Sequence, residues 1–271
     1  MNPEEYSRMY ESEDSYWYFQ GRRSIISGLL GQHLELDKRP RRILDVGCGT
    51  GLMLEHLTQR GQKPVGLDMN ERAMSYCRRR GLGRLVQGDV VHLPFAPNSF
   101  DLILALDLLE HVEDDRGLLA EFRRVAAPEA RVMITVPAHP FLWSEHDEAL
   151  HHIRRYRHGA FLRLLREAGF RPVRSSYAIA FLFLPIVLFR LAQRLYKRGG
   201  GPKTDLIMLP RPLNRVLIWL LRLEGALLRH VALPFGVTLM ALLELDEGKS
   251  EEAAARETRQ RNPGRVPRSG A

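Results

Sequence analysis

A short apolar run passing directly into three alternating glycines, Ile43-Leu44-Asp45-Val46-Gly47-Cys48-Gly49-Thr50-Gly51, constrains this chain more than any other stretch. Arg41 to Val46 reads as a buried strand and Leu52 to Gln59 as a helix, so the glycines fall at a strand-to-helix turn. Glycine accepts backbone angles closed to other residues and lets the main chain approach a ligand closely, which makes such a turn a cofactor cradle. The spacing excludes one class of cofactor. Dinucleotide turns carry G-x-G-x-x-G, whereas these glycines stand at 47, 49 and 51, with Leu52 in the third position after Gly49. Asp45, two residues before the first glycine, would repel a diphosphate and attract a cation.

Two further acids follow strands. Lys63 to Asp68 reads as a second strand ending in Asp68, suited to accept hydrogen bonds from a ribose diol. Gly83 to Asp89 reads as a third strand ending in Asp89 and followed by Val90, where Asp89 would accept from an adenine amino group. Taken singly, either acid would serve as a helix N-cap. Jointly, Asp45 to Gly51, Asp68 and Asp89 resemble the motifs of class I S-adenosylmethionine-dependent methyltransferases, over roughly residues 40 to 180. Leu93-Pro-Phe, Ser99-Phe-Asp-Leu-Ile and Leu109-Glu-His-Val are similar to the small-molecule branch of that family. The resemblance implies S-adenosylmethionine as cofactor. Gly47, Gly49 and Gly51 would hold its amino-acid part, Asp68 its ribose, and Asp89 with Val90 its adenine.

Strand and helix continue to alternate: Phe100–Leu106 a fourth strand, Leu118–Val125 a helix, Ala130–Val136 a fifth strand, Arg171–Ala180 a sixth and Pro234–Glu244 a last one. The expected class is α/β, a Rossmann-like doubly wound seven-stranded sheet with a helical insertion before the last strand. Ligands of such sheets collect at the carboxyl ends of the strands, where Asp45, Asp68, Asp89 and Asp107 all fall. Asp107 would line the cofactor end of the pocket or cap the segment Leu108–Val112. It lacks the Pro-Pro-aromatic continuation of amino-methylating DNA enzymes, which weakens a nucleic-acid reading. The expected units are a cap over residues 1–40, a core of 41–180 plus 234–245, an insertion at 181–233 and a disordered tail at 246–271.

The run His139, His146, Asp147, His151, His152, Arg154, Arg155, Tyr156 and His158 reads as a substrate loop. His152 is the candidate general base, and Arg154, Arg155 and Tyr156 are candidate substrate contacts, an arginine being suited to clamp a carboxylate or phosphate. A loop tied down by its own hydrogen bonds is the alternative. No metal is expected, because no cysteine joins the histidines and methyl transfer needs none. Four aromatics, Tyr16 to Phe19, beside Arg22 and Arg23 suggest a lid or a helix anchored on the sheet.

Charge divides the chain. Residues 1–150 hold 18 basic against 23 acidic side chains, net −5, and residues 151–271 hold 22 against 9, net +13. The basic half points to an anionic surface or substrate. Within the insertion, Arg190, Arg194 and Lys197, then Arg215, Arg222 and Arg229, recur at helical spacing opposite Leu, Ile, Val and Trp219, with Gly199 to Lys203 as the connecting loop. That is the pattern of helices lying in a membrane interface, or of helices packed on the sheet or on a second subunit with their arginines solvated. The expected partners are a small-molecule or lipid-linked acceptor and a membrane surface met through 181–233; nucleic acid is not expected. Two cysteines and an acidic, signal-free N-terminus predict a cytoplasmic chain, peripheral to the membrane if the insertion binds lipid. The expected function is S-adenosylmethionine-dependent methyl transfer to such an acceptor, with a nucleic-acid methyltransferase or a non-catalytic S-adenosylmethionine-binding protein as alternatives.

Overall fold

A computed structural model describes residues 3–36, 39–195 and 209–246. The chain runs α1 (Pro3–Ser12), α2 (Trp17–Leu34), β1 (Ile43–Val46), α3 (Leu52–Gln59), β2 (Val65–Asp68), α4 (Glu71–Arg79), β3 (Leu85–Gln87) and β4 (Phe100–Leu106). It continues with α5 (Asp115–Val125), β5 (Ala126–Pro137), α6 (Glu145–Ala149), α7 (His158–Glu167), β6 (Phe170–Ala178), α8 (Phe183–Leu195), α9 (Arg211–Leu228) and β7 (Thr238–Leu245). The strands form one sheet in the order β3-β2-β1-β4-β5-β7-β6, with β1 to β5 parallel and β7 antiparallel to both its neighbours. The order reverses between β1 and β4, which opens a crevice at the carboxyl ends of those strands.

Alternation of side chains along each strand builds two cores. Leu44, Val46, Ile103, Ala105, Val132 and Ile134 meet α5 and α7 through Leu118, Phe122, Phe161 and Leu165. Ile43, Leu102, Leu104, Met133 and Met240 point the other way, onto Ile25, Ile26, Leu29, Met53 and Leu57 of α2 and α3. Buried leucines and isoleucines of this kind contribute about 1.5–3 kcal/mol each, so these two layers fix which way every strand end points.

The seven-stranded α/β architecture is as expected, with three boundary corrections. β3 stops at Gln87, so Asp89 lies in the following loop rather than on the strand. β5 begins at Ala126, four residues earlier, because Phe100 and Ala126 already pair across a β-bulge. The last strand begins at Thr238. Within the insertion, α9 packs along α2, and its Leu221 and Leu228 join the second core. A side chain at Gly21 would begin 2.1 Å from Leu221 Cδ1, so only glycine lets these helices approach so closely. Glu224 Oε2 accepts from the Phe181 amide at 3.0 Å and ties α9 to the end of β6. The connecting loop Gly199 to Lys203 and the tail from 247 lie outside the described residues.

Candidate active site

The glycine turn is built as its sequence implied. Gly47, Gly49 and Gly51 have φ of +69°, +55° and +86°, which L-residues enter only at a cost of about 1–2 kcal/mol. Gly47 and Cys48 donate to the Leu67 carbonyl, at 2.8 and 3.1 Å, binding the turn to the neighbouring strand. A Cβ on Gly51 would lie 2.8 Å from Leu82 Cδ1 and 2.9 Å from Cys77 Sγ, whereas one on Gly49 meets only Met9 Cε at 3.4 Å. Gly51 is therefore enclosed by protein, and Gly49 borders open space. Gly51→Ala combines the backbone penalty with roughly 1–3 kcal/mol of overpacking and should lower the melting temperature by roughly 5–10 °C, read by scanning calorimetry. A shift below a couple of degrees would show the turn to be looser than this.

Asp68 supports the turn from β2. Its Oδ2 accepts from the Gly49 amide and its Oδ1 from the Asn70 amide, both at 2.9 Å. Each oxygen keeps a lone pair for a further donor. Asn70 rather than Asp68 caps α4, accepting from Arg72 and Ala73, so the helix-cap alternative for Asp68 does not apply. Asp89 lies one strand further out and is half exposed; its Oδ1 accepts from the Val91 amide at 3.1 Å. Val90 turns inward, into the core beside α5.

Asp45 is buried, and its Oδ1 has no hydrogen-bond partner. Burial, partly opposed by the Arg22 guanidinium and reinforced by Asp68, pushes its carboxyl from the ordinary 3.8 up to about 7. The sign follows: an acid whose folded pKa is raised costs the fold stability as pH climbs from about 4 through 7, so without ligand this group favours the lower pH. A cation bound beside Asp45 selects the ionised form and releases a proton. Affinity for a cationic cofactor should therefore rise roughly tenfold between pH 5.5 and 7.5, and Asp45→Asn should flatten that rise. Equal slopes in calorimetric titrations of the two proteins would contradict this role.

Asp107, with φ of +55° at the end of β4, is fixed by an ion pair to Arg22 Nη2 at 2.9 Å and by the Thr135 hydroxyl, which donates to its Oδ1 at 2.8 Å. The 3-10 turn Leu109–His111 begins from Leu108 with no side-chain cap, so Asp107 is a fixed charge at the strand end and not a helix cap.

The predicted substrate loop is bound to the protein. Asp147, wholly buried, caps α6 by accepting from the Ser144 amide, and its Oδ1 also receives His152 Nδ1 at 2.9 Å and Arg155 Nε at 2.7 Å. Arg154 spends its guanidinium on Asp115 Oδ2 and the Glu113 carbonyl, and Tyr156 donates to the same Asp115 oxygen. Burial and the facing Asp115 carboxylate push the Tyr156 phenol up. A clamp made by Arg154 or Arg155 would have to give up these bonds, and the tied-down loop is the arrangement observed. His152 differs from them, since its Nε2 makes no hydrogen bond within the loop and lies 3.9 Å from Glu110 Oε1. Burial first, and then the Asp107 charge, push the Glu110 carboxyl well above the ordinary carboxylate range, with Arg22 and Arg155 opposing.

Several participants carried no sequence signal. Thr50 donates to Glu13 Oε2 at 2.6 Å, and Arg80 bridges Glu13 at 2.5 Å, Asp14 at 3.2 Å and the Thr50 carbonyl at 3.1 Å. Tyr10 stacks on Tyr76 with centroids 4.5 Å apart. Together these fasten α1 and its following loop over the glycine turn, and they join positions 30 to 67 residues apart that no spacing rule connects. Tyr16 to Phe19 do not form a free lid; they open α2, with Tyr16 buried.

Asp45 with its orphaned oxygen, Gly49 with its open face and Asp68 with its spare lone pairs thus meet at one strand-to-helix turn. Residues 44–134 match the family model described as a methyltransferase domain. Norajmaline N-methyltransferase of Rauvolfia serpentina is 34% identical over 110 residues, covering 38% of each chain. Ubiquinone biosynthesis O-methyltransferase of Hahella chejuensis is 40% identical over 96 residues, covering 33% of this chain and 40% of its own. The matches thus span about two fifths of the length of these relatives. A solved S-adenosylmethionine-dependent methyltransferase from Archaeoglobus fulgidus superposes with a TM-score of 0.51 at 21% identity, over 81% of this chain and 94% of that one; at this identity the likeness speaks for the fold. Glycine turn, strand-end acids and sheet order converge with the family model: residues 44–134 match a methyltransferase domain, and the fold around them is that of solved S-adenosylmethionine-dependent methyltransferases.

Proposed function

We propose that this chain transfers the methyl group of S-adenosylmethionine to a small-molecule acceptor at a membrane surface. The observation that carries the donor half is the turn itself, in which Asp45 keeps an unpartnered buried oxygen beside the glycine backbone. Gly47, Gly49 and Gly51 with Asp45 would hold the amino-acid arm, Asp68 the ribose, and Asp89 with Val90 the adenine, while Asp107 borders the methyl end. When bound, the sulfonium supplies an activated methyl group. The protein's share is to orient the acceptor, exclude water and receive a proton. His152, oriented through Nδ1 by Asp147, is the residue we assign to the acceptor side; Arg154, Arg155 and Tyr156 shape its loop. The relatives, named for N- and O-methylation in alkaloid and ubiquinone chemistry, support a small-molecule acceptor.

The membrane half rests on surface chemistry. Of sixteen large exposed apolar side chains among the described residues, twelve fall between 181 and 235. Leu184, Leu188 and Leu191 stand out from α8, while Val216, Trp219 and Leu223 stand out from α9. Arg190 does not join an outward row of cations, since it is buried and donates to Ser144 Oγ. On α9 the arginines flank the exposed apolar stripe instead of opposing it. Arg222 and Arg229 then line a cleft of about 810 Å³ with Arg23, Arg60, His56 and His230, and no acid lines it. Apolar side chains next to such a cleft suit an anionic lipid interface. No described helix is long and apolar enough to cross a membrane.

Incubation with labelled S-adenosylmethionine and membrane extract, followed by phase partition, tests the whole reading. Label in the lipid phase is expected, label only in the aqueous phase removes the lipid-surface acceptor, and no transfer to any fraction removes the reaction. Sedimentation with phosphatidylglycerol vesicles should fall sharply for Trp219→Glu; unchanged sedimentation contradicts membrane contact.

A further inference from the structure

We propose that Glu110, His111 and His152 form a binding site for one divalent first-row transition ion. Their candidate donor atoms, one carboxylate oxygen and two imidazole nitrogens, lie within 4.8 Å of one another. Glu110 and His111 come from the 3-10 turn after β4 and His152 from the loop after α6, with the Ile153 amide donating to the Glu110 carbonyl at 2.9 Å to pin the two segments together.

Glu110 is wholly buried, and neither carboxylate oxygen has a hydrogen-bond partner. An isolated buried carboxylate is costly, and proteins keep one where a cation or donor meets it. His152 Nε2 stands 3.9 Å from Glu110 Oε1, too far for a hydrogen bond. Two ligand atoms each about 2.0–2.2 Å from a shared ion can stand up to about 4 Å apart, so this gap suits an intervening ion.

Ligand orientation provides a second line of support. Metal-bound histidines characteristically anchor their other ring nitrogen on a carboxylate or a backbone carbonyl, which fixes the tautomer and aims the free nitrogen. His152 Nδ1 is anchored on Asp147, itself held by Arg155, and the His111 ring is hydrogen-bonded to the His151 backbone. The two rings stand nearly perpendicular, at 77° with centroids 4.7 Å apart, in an edge-to-face contact that keeps their donor atoms within reach of one another.

A site with two imidazoles and one carboxylate leaves a coordination position for water or an acceptor oxygen, the pattern of a catalytic rather than a structural ion. This last use rests on the methyl-transfer reading above, because Glu110 lies within the field of Asp107 at the methyl end. In it His152 acts through the ion and not as a free base.

Chelator-stripped full-length protein titrated with Co2+ should show visible ligand-field absorption saturating at one equivalent, displaced by Zn2+. Glu110→Gln and His152→Ala should each weaken Co2+ binding at least about 100-fold, with His33→Ala, outside the cluster, as the unchanged control. Absence of saturable absorption in the unmodified protein overturns the site without recourse to any variant, as does Co2+ affinity unchanged in folded Glu110→Gln and His152→Ala. Methyl transfer that survives stripping but is lost in His152→Ala rejects the ion and leaves the free-base reading standing. Stoichiometric ion binding without methyl transfer supports the ion and rejects the reaction.

Discussion

Asp68→Asn is expected to weaken S-adenosylmethionine binding about a hundredfold. The native carboxylate accepts from the Gly49 and Asn70 amides through separate oxygens. An amide side chain offers one oxygen and presents an NH2 group to the other donor, so one backbone N–H loses its partner, at about 1–3 kcal/mol. The lost charge also weakens any hydrogen bond from a ribose diol, and together these amount to about 3 kcal/mol, or two decades of affinity. The fold should survive, because Asn70 caps α4 independently. Calorimetric titration reads the effect, and an affinity within threefold of the parent protein would remove Asp68 from the cofactor site.

Asp147→Ala should be the most damaging substitution for stability. This wholly buried carboxylate serves the Ser144 amide, His152 and Arg155 at once, and those two side chains are themselves almost fully enclosed. Removing one partner of a buried ion pair leaves an uncompensated charge, at about 3–5 kcal/mol, which for a domain of this size lowers the melting temperature by roughly 10 °C. Arg155→Ala added to Asp147→Ala should then cost little more, since both act on one pair. Additive losses in scanning calorimetry would show that the two side chains contribute separately.

What the sequence disclosed and what it withheld divide along physical lines. β1, the glycine turn and α3 were legible because strand burial, glycine and helical spacing are local properties, and the α3 bounds agree to the residue. Asp68 and Asp45 were legible because strand ends in a parallel sheet converge on one crevice. The clamp of Glu13 and Arg80 on Thr50 was not, since α1 meets α4 only through tertiary contact. Glu110 was similarly hidden inside an ordinary Leu-Glu-His-Val string. Its isolation appears only once His152, forty-two residues away, folds over it. The insertion was legible as helical, but not the face by which α9 meets α2. The core-facing row of α9, with Leu221, Glu224, Gly225 and Leu228, follows from the close approach allowed by Gly21, which helical periodicity alone does not reveal.

The turn from Asp45 to Gly51, with Asp68, is expected to accept S-adenosylmethionine. Isothermal titration of the full-length chain with S-adenosylmethionine, and in parallel with NAD, tests it most directly. Saturable one-to-one binding of S-adenosylmethionine, weakened about a hundredfold in Asp68→Asn and absent for NAD, is the predicted result. No binding heat with S-adenosylmethionine, or equal affinity for NAD, would contradict it.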